Sequence, residues 1–417
     1  MAEIKKSAGK VVTYFQSFYH WVLLATVTGA VCGLVGSMFH FTVSRATAFR
    51  GAHTWLVFLL PLGGLLIAAI YRVTKTEGEG TNNIIDFIHE GQKVDILLVP
   101  VIFVATAITH LFGGSAGREG AALQIGGGIG FRIGKFLGLD EKDMRLVTLC
   151  GMSAVFSALF GTPLTATLFA LEVISVGILY YSGFLPCLVA SMVAYGISRL
   201  IGIEPMRFFL DYQPLDVLTI IRVSILALIC ALVSIAFCIT LHRTEKLASA
   251  KLKNPFLRVF IGGVIIVALT LLVGSYNYNG TGTDIIESAL REGVAPDWAF
   301  FWKIVFTAIT IGFGFKGGEI VPTFFIGATL GCVLGPILGM PAQFAAAVAL
   351  VAVFCGAVNC PVASIVLSVE LFGAGGLIYF ALACGISYML SGYFGLYSSQ
   401  KIMYSKTKAE FINRYAR

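Results

Sequence analysis

Gly78-Glu-Gly-Thr-Asn-Asn-Ile-Ile-Asp-Phe-Ile-His-Glu-Gly91 returns, 202 positions on, as Gly280-Thr-Gly-Thr-Asp-Ile-Ile-Glu-Ser-Ala-Leu-Arg-Glu-Gly293. Both segments open on a Gly-x-Gly-Thr pattern and close on Glu-Gly. Three further pairs follow in the same order. Gly117-Arg-Glu119-Gly matches Gly317-Gly-Glu319-Ile, each with a glutamate two residues after a glycine in apolar surroundings. Ala154-Val-Phe matches Ala352-Val-Phe, and each leads to a proline, Pro163 and Pro361. Glu172 and Glu370 each lie nine residues beyond that proline. Four matches in one order at a nearly constant offset mark a duplicated chain. The expected divisions are an N-terminal segment over 1–16, a first half over 17–204, a second half over 213–400 and a basic tail over 401–417.

The solvent for this duplication is lipid. Hydrophobic residues make up 57% of the 417 and charged residues only 12%. A soluble domain carries about 25% charged residues. Mean hydropathy is +0.88. Trp21–Phe39, Val217–Thr240, Phe260–Val273 with its flanks and Phe344–Phe354 with its neighbours approach the roughly 20 apolar residues of a spanning helix. No short apolar core with a small-residue cleavage site follows Met1–Lys10, so no cleaved leader is expected.

The net charge of +7 does not imply nucleic acid. Its basic residues gather in tails and connectors: Lys5, Lys6 and Lys10; Arg243, Lys246, Lys251, Lys253 and Arg258; Lys401, Lys406, Lys408, Arg414 and Arg417. Positive charge is retained on the cytoplasmic side of membranes. Both termini and the Arg243–Arg258 connector are therefore expected inside, with the C-terminal tail partly disordered on the anionic leaflet. Val217–Thr240 then enters from outside and Trp21 from inside, so equivalent helices run in opposite directions. The expected fold is an all-α polytopic membrane protein, an inverted-topology repeat with broken, re-entrant helices.

Nine cysteines lie mostly in apolar runs, without a Cys-x-x-Cys pair or a metal-ligand spacing, and read as reduced packing residues. The six histidines are scattered, and no His-Glu-x-x-His helix occurs. No nucleophile, base and orienting group stand together either. An enzyme, a metal site and a cofactor are not expected.

The matched segments point to an anion site. Gly113-Gly-Ser-Ala-Gly-Arg-Glu-Gly120 leads into Ala121–Gly134, and Phe313-Gly-Phe-Lys-Gly-Gly-Glu-Ile-Val-Pro322 leads into Thr323–Leu334. Each reads as a loop feeding a helix start. A helix start carries unpaired N–H groups and about half a positive charge, which suits an anion. Glycine lets the ion approach the backbone. Inverted halves aim two such starts at one point from opposite sides. A glutamate at membrane depth is a functional candidate by default. Glu119 can occupy the anion seat itself and swing away when protonated, acting as both gate and proton carrier. Glu319 is a candidate second proton or ion site. Glu172 and Glu370, at the far ends of apolar helices, are expected to be structural or interfacial.

These motifs resemble the CLC family of chloride channels and anion/proton antiporters. The resemblance runs from about Trp21 to Tyr397. Gly117-Arg-Glu-Gly120 is similar to the family's gating-glutamate motif, and Gly317-Gly-Glu-Ile-Val-Pro322 to its second-half anion motif. Gly78-Glu-Gly-Thr-Asn82 resembles the first-half anion loop, and Leu396-Tyr397-Ser398 the segment with the ion-contacting tyrosine. The resemblance implies a homodimer with a pore in each subunit and Glu119 as external gate. It implies a central anion held near Ile320 and Val321 amides and the Tyr397 hydroxyl. Gly80, Thr81, Asn82, Gly117, Arg118, Gly120 and Gly318 complete the implied site.

Departures set the subtype. Ala121 replaces the usual proline after the gating motif, and Val173 stands where chloride exchangers carry their internal proton-transfer glutamate. Glu319 adds a carboxylate where chloride transporters have an apolar residue. Gly117-Arg-Glu-Gly-Ala-Ala-Leu-Gln124 and the Gly318–Gly331 stretch resemble the fluoride-exporting branch. The Glu79 loop lacks the methionine associated with that branch's selectivity. Glu79 either lines the pore or points to solvent. The expected function is fluoride/proton antiport in a bacterial inner membrane, with fluoride or chloride, protons, lipid and a second copy as partners. Chloride/proton antiport is the alternative, then a passive chloride channel.

Overall fold

The computed structural model describes the chain except Met1, Gln92, Lys93 and Ile96, with side chains from Val12 onward. Among the described residues, sixteen α-helices fall eight to each repeat. The first set is α1 (Ala2–Ala52), α2 (Leu60–Thr74), α3 (Thr81–Glu90), α4 (Leu98–Leu111), α5 (Glu119–Phe136), α6 (Glu141–Phe160), α7 (Pro163–Glu172) and α8 (Phe184–Leu200). The second is α9 (Val217–Lys251), α10 (Pro255–Val273), α11 (Thr283–Arg291), α12 (Ala299–Gly312), α13 (Ile320–Ile337), α14 (Ala342–Val358), α15 (Pro361–Phe372) and α16 (Leu377–Leu390). Among the described residues, seven segments are long and apolar enough to cross a bilayer. Between them lie shorter apolar helices such as α4, α7 and α12, too short to span alone.

The halves interlock by exchange. Gly117 N–H donates to the Gly318 carbonyl at 2.6 Å, and Gly318 N–H returns a bond to the Gly117 carbonyl at 2.7 Å. Ser115 N–H donates to Thr310 Oγ1 at 3.0 Å, while Lys316 N–H donates to Thr109 Oγ1 at 3.3 Å. The third exchange is at the proline starts. Pro163 and Pro361 open α7 and α15 with φ preset for a helix, and Thr162 and Cys360 give them no side-chain cap. The exposed N–H groups take carboxylates from the opposite half instead. Glu370 accepts from Leu164 and Thr165 N–H at 3.0 and 2.8 Å. Glu172 accepts from Val362 and Ala363 N–H at 3.2 and 2.9 Å. Reciprocal contacts of this kind are the signature of a two-fold relation between inverted halves. The structural role expected for both glutamates is thus seen as mutual helix capping.

Helix α5 packs on α6, and α13 on α14, through small residues. A side chain on Gly126 would collide with the Gly151 carbonyl, and one on Gly327 with the Ala349 carbonyl. Backbone-to-backbone approach of this kind replaces the hydrophobic drive that lipid removes. The nine cysteines are all free and buried.

Two expectations differ from the structure. Arg243, Lys246 and Lys251 do not sit in a loop, because α9 continues through Lys251 and only Leu252–Asn254 connect it to α10. Lysine and arginine are good helix formers, so the helix runs past its apolar stretch. The N-terminal segment is likewise helical from Ala2. The C-terminal tail, expected to be partly disordered, is an ordered hairpin on a mostly helical chain. β2 (Lys401–Tyr404) pairs antiparallel with β3 (Phe411–Tyr415) and parallel with β1 (Ser175–Val176). Its basic side chains find protein partners. Lys401 approaches Glu90 at 3.7 Å, Arg414 lies over Tyr393, and Lys406 over Tyr388.

Candidate functional site

The Gly117–Gly318 bridge brings the starts of α5 and α13 face to face. Glycine is required here: a Cβ on Gly318 would sit 2.6 Å from the Glu119 and Gly120 nitrogens. Glu119, the first residue of α5, is fully buried. Its Oε2 accepts from Arg118 N–H at 2.9 Å and from Val321 N–H at 3.2 Å. One carboxylate oxygen is thus held by amides from both halves. The other, Oε1, is buried without a partner. The Arg118 guanidinium reaches Ser44 at 3.5 Å instead of pairing with Glu119. Ile320 opens α13 and, like Val321, is buried.

Beside this point lies a cavity of about 560 Å³, with Glu79, Thr81, Gln124, Gly317, Glu319 and Tyr397 among its lining. Gly80 and Asn82 also face it, at the start of α3. The Tyr397 hydroxyl, Glu319 Oε2 and Gln124 Oε1 are buried without partners. Unpaired buried polar atoms are costly and are rare without a purpose. Glu319 also abuts the start of α5, since a Cβ on Gly120 would fall 3.0 Å from its Oε2.

The α3 groups expected at the ion divide. Gly80 N–H is taken by Asn83 Oδ1 at 2.9 Å, closing a cap. Thr81 donates to the Gly120 carbonyl at 3.3 Å and accepts from Gln124 Nε2 at 3.0 Å. Asn82 turns to Ser398 Oγ at 3.0 Å and Ser399 N–H at 3.2 Å, tying α3 to the tyrosine loop. Glu79 lines the cavity, with one oxygen buried and unpaired. Burial raises its carboxyl above the usual range, and the Asp95 charge adds to this. Val173 is fully buried and apolar, with its carbonyl accepting from Gln400 Nε2 at 3.0 Å.

Sequence reasoning missed several members. His110 is fully buried with Nε2 3.1 Å from the Gly117 carbonyl, and so steadies the bridge. Lys303, fully buried in α12, donates to the Gly280 carbonyl at 2.7 Å and pins the second Gly-x-Gly-Thr loop. Gln124 orients Thr81. Only Gln124 stood in a quoted motif; the other two lie in ordinary apolar runs, and their carbonyl partners lie 7 and 23 residues away, across a turn of the chain.

The comparisons agree with this geometry. The sequence model of a family described as voltage gated chloride channel matches residues 63–392. A chloride/fluoride channel protein of Pseudomonas syringae pv. tomato is 35% identical over 93% of this chain and 87% of its own length. The crystal structure of a CLC-type fluoride/proton antiporter superimposes with a TM-score of 0.89 at 32% identity, covering 92% of this chain and 98% of that one. The structure of a slow cyanobacterial chloride/proton antiporter shares the fold, with a TM-score of 0.77 at 18% identity over 89% of this chain and 94% of that one. The chain belongs to the CLC family of chloride channels and anion/proton antiporters, and it is most like the family's bacterial fluoride/proton antiporter branch.

Proposed function

We propose that this protein exports fluoride from the cytoplasm in exchange for protons, with Glu119 as gate and proton carrier. One observation carries the reading: the Glu119 carboxylate accepts amide hydrogens from the facing starts of α5 and α13. That seat suits any small anion, because both helix starts lend it partial positive charge. A deprotonated Glu119 holds the seat. Once protonated it loses most of this attraction, swings out with its proton and frees the amides for fluoride. Alternate use of one seat by carboxylate and ion couples the two fluxes. The Tyr397 hydroxyl and the amides of Ile320 and Val321 then receive the ion, and Glu319 is the second proton station. Gly80, Thr81, Asn82, Gly117, Arg118, Gly120 and Gly318 form the walls of this path. Fluoride holds water tightly, so unpaired donors such as the Tyr397 hydroxyl offset part of its dehydration.

The likeness to a fluoride/proton antiporter at 32% identity supports the choice of ion. The halves 17–204 and 213–400 form one pore per subunit of a homodimer. Both termini face the cytoplasm from a bacterial inner membrane.

The test is efflux from proteoliposomes, following fluoride, chloride and protons together. The expected result is fluoride flux well above chloride, protons driven uphill, and loss of coupling in Glu119→Gln. Chloride flux equal to fluoride flux would move the protein to the chloride reading. Passive flux without proton movement would make it a channel.

A further inference from the structure

Tyr397 lies in the loop between α16 and β2, and how that loop is held decides where its hydroxyl points. Leu396 N–H donates to the Ala357 carbonyl at 2.9 Å, and Gln400 N–H donates to the Tyr397 carbonyl at 3.1 Å. The loop then closes on a single carboxamide. Asn359 caps the end of α14 in a left-handed conformation, with φ of 59°. Its Nδ2 donates to the Phe394 carbonyl and to Gln400 Oε1, both at 3.0 Å. Gln400 is fully buried, and its Nε2 donates to the Val173 and Val358 carbonyls at 3.0 and 2.9 Å. Both amides are committed, so the orientation of Asn359 rests on what its oxygen meets.

That oxygen meets Lys406. The ammonium donates to Asn359 Oδ1 at 2.5 Å and to Ser391 Oγ at 2.9 Å, and it lies 4.4 Å from the centre of the Tyr388 ring. Lys406 sits in the turn between β2 and β3, so the hairpin reaches back into the base of the second half. Asn359 and Ser391 stand on either side of the tyrosine loop, one at the end of α14 and one at the end of α16. Charge-assisted hydrogen bonds of this kind are about twice as strong as neutral ones.

We propose that the C-terminal hairpin is a positioning element of the transport site: Lys406, gripping Asn359 and Ser391, holds the 391–400 loop so that the Tyr397 hydroxyl faces the cavity. Lys406 does not touch the ion. It acts through Asn359 and Gln400 on the loop, and through the loop on Tyr397. This rests on the reading of Tyr397 as an ion contact.

The experiment measures the fluoride dependence of flux in proteoliposomes for Lys406→Met, Lys406→Arg, Tyr397→Phe and the double variant Lys406→Met/Tyr397→Phe. Loss of the grip is expected to raise KM about tenfold with kcat within about twofold, the size of one lost charged hydrogen bond. Lys406→Arg, which keeps the charge and the donors, restores KM. In the Tyr397→Phe background, Lys406→Met has no further effect on KM. Ser391→Ala, which removes one bond and leaves the charge, gives a smaller rise of about threefold and serves where Lys406→Met folds poorly. The proposal is overturned if Lys406→Met leaves KM unchanged, if arginine fails to restore it, or if the effect persists undiminished without the hydroxyl. If Tyr397→Phe itself leaves KM unchanged, the ion-contact reading falls, and the positioning role falls with it.

Discussion

Glu119 and Glu79 are carboxylates in contrasting settings. Glu119 sits on two helix starts, which favour its charge. Glu79 faces the cavity from a loop, and its unpaired oxygen meets no such donors. Ionised, Glu79 repels an incoming anion. Its carboxyl lies above the ordinary range through burial first and Asp95 second. A raised value means that a falling pH neutralises Glu79 earlier than an ordinary glutamate. Acidifying the side that the cavity faces is therefore expected to speed anion flux, and Glu79→Gln to abolish that part of the pH dependence. Flux recorded against pH on that side checks this; an unaltered profile in Glu79→Gln would remove Glu79 from the ion path. Gly318 gives a second forecast. A methyl group there would press on the Glu119 and Gly120 nitrogens. Gly318→Ala is expected to cost about 1–3 kcal/mol by overpacking and to cut transport sharply. Thermal unfolding in detergent and fluoride efflux measure the two effects, and wild-type values in both would show that the bridge yields.

Helices α7 and α15 show how an element can be legible in sequence while its stabilisation is not. Pro163 and Pro361 marked both starts, and Glu172 and Glu370 stood at matched positions. That each glutamate caps the other half's helix could not be read, because the contacts cross about 190 and 206 residues of chain. Removing either carboxylate leaves two amides of a helix start unpaired. Thr165 and Ala363 are buried, while Leu164 and Val362 are exposed to solvent, so Glu172→Ala and Glu370→Ala are each expected to cost about 1–3 kcal/mol, the cost of one buried amide left unpaired. The two melting temperatures should fall by similar amounts. A large loss for one and none for the other would contradict the two-fold reading of these caps. The ends of α9 and the C-terminal tail went the other way. Their basic residues suggested loops and a lipid-bound tail, yet helix propensity carried α9 through Lys251, and strand pairing with β1 ordered the hairpin.

Between the halves, the connector after α8 runs extended and is fixed to the second half. Phe208 N–H donates to the Leu371 carbonyl at 2.8 Å, and the Tyr379 hydroxyl to the Pro214 carbonyl at 2.5 Å. Ahead of it, Gly202 is exposed, with φ of +95° and open space around it. The interlocking bonds do not depend on chain continuity there. Co-expressed halves cut at Gly202 are expected to copurify and transport fluoride, while either half alone stays unfolded or aggregates. Independent folding of one half would show that the exchange across the two-fold is dispensable.

The duplication, the lipid setting and the inverted halves were all written in the sequence. Composition fixes the solvent, and repetition fixes the symmetry. Tertiary structure decided the rest. It turned Arg118 toward Ser44, assigned Asn82 to the tyrosine loop, placed Glu79 on the cavity and drew Lys406 inside. A polar side chain in a low-dielectric interior takes whichever donor or acceptor the fold brings within about 3 Å. Those partners lie 74 residues away for Arg118, 47 for Lys406 and 316 for Asn82, and only the packed fold brings them together.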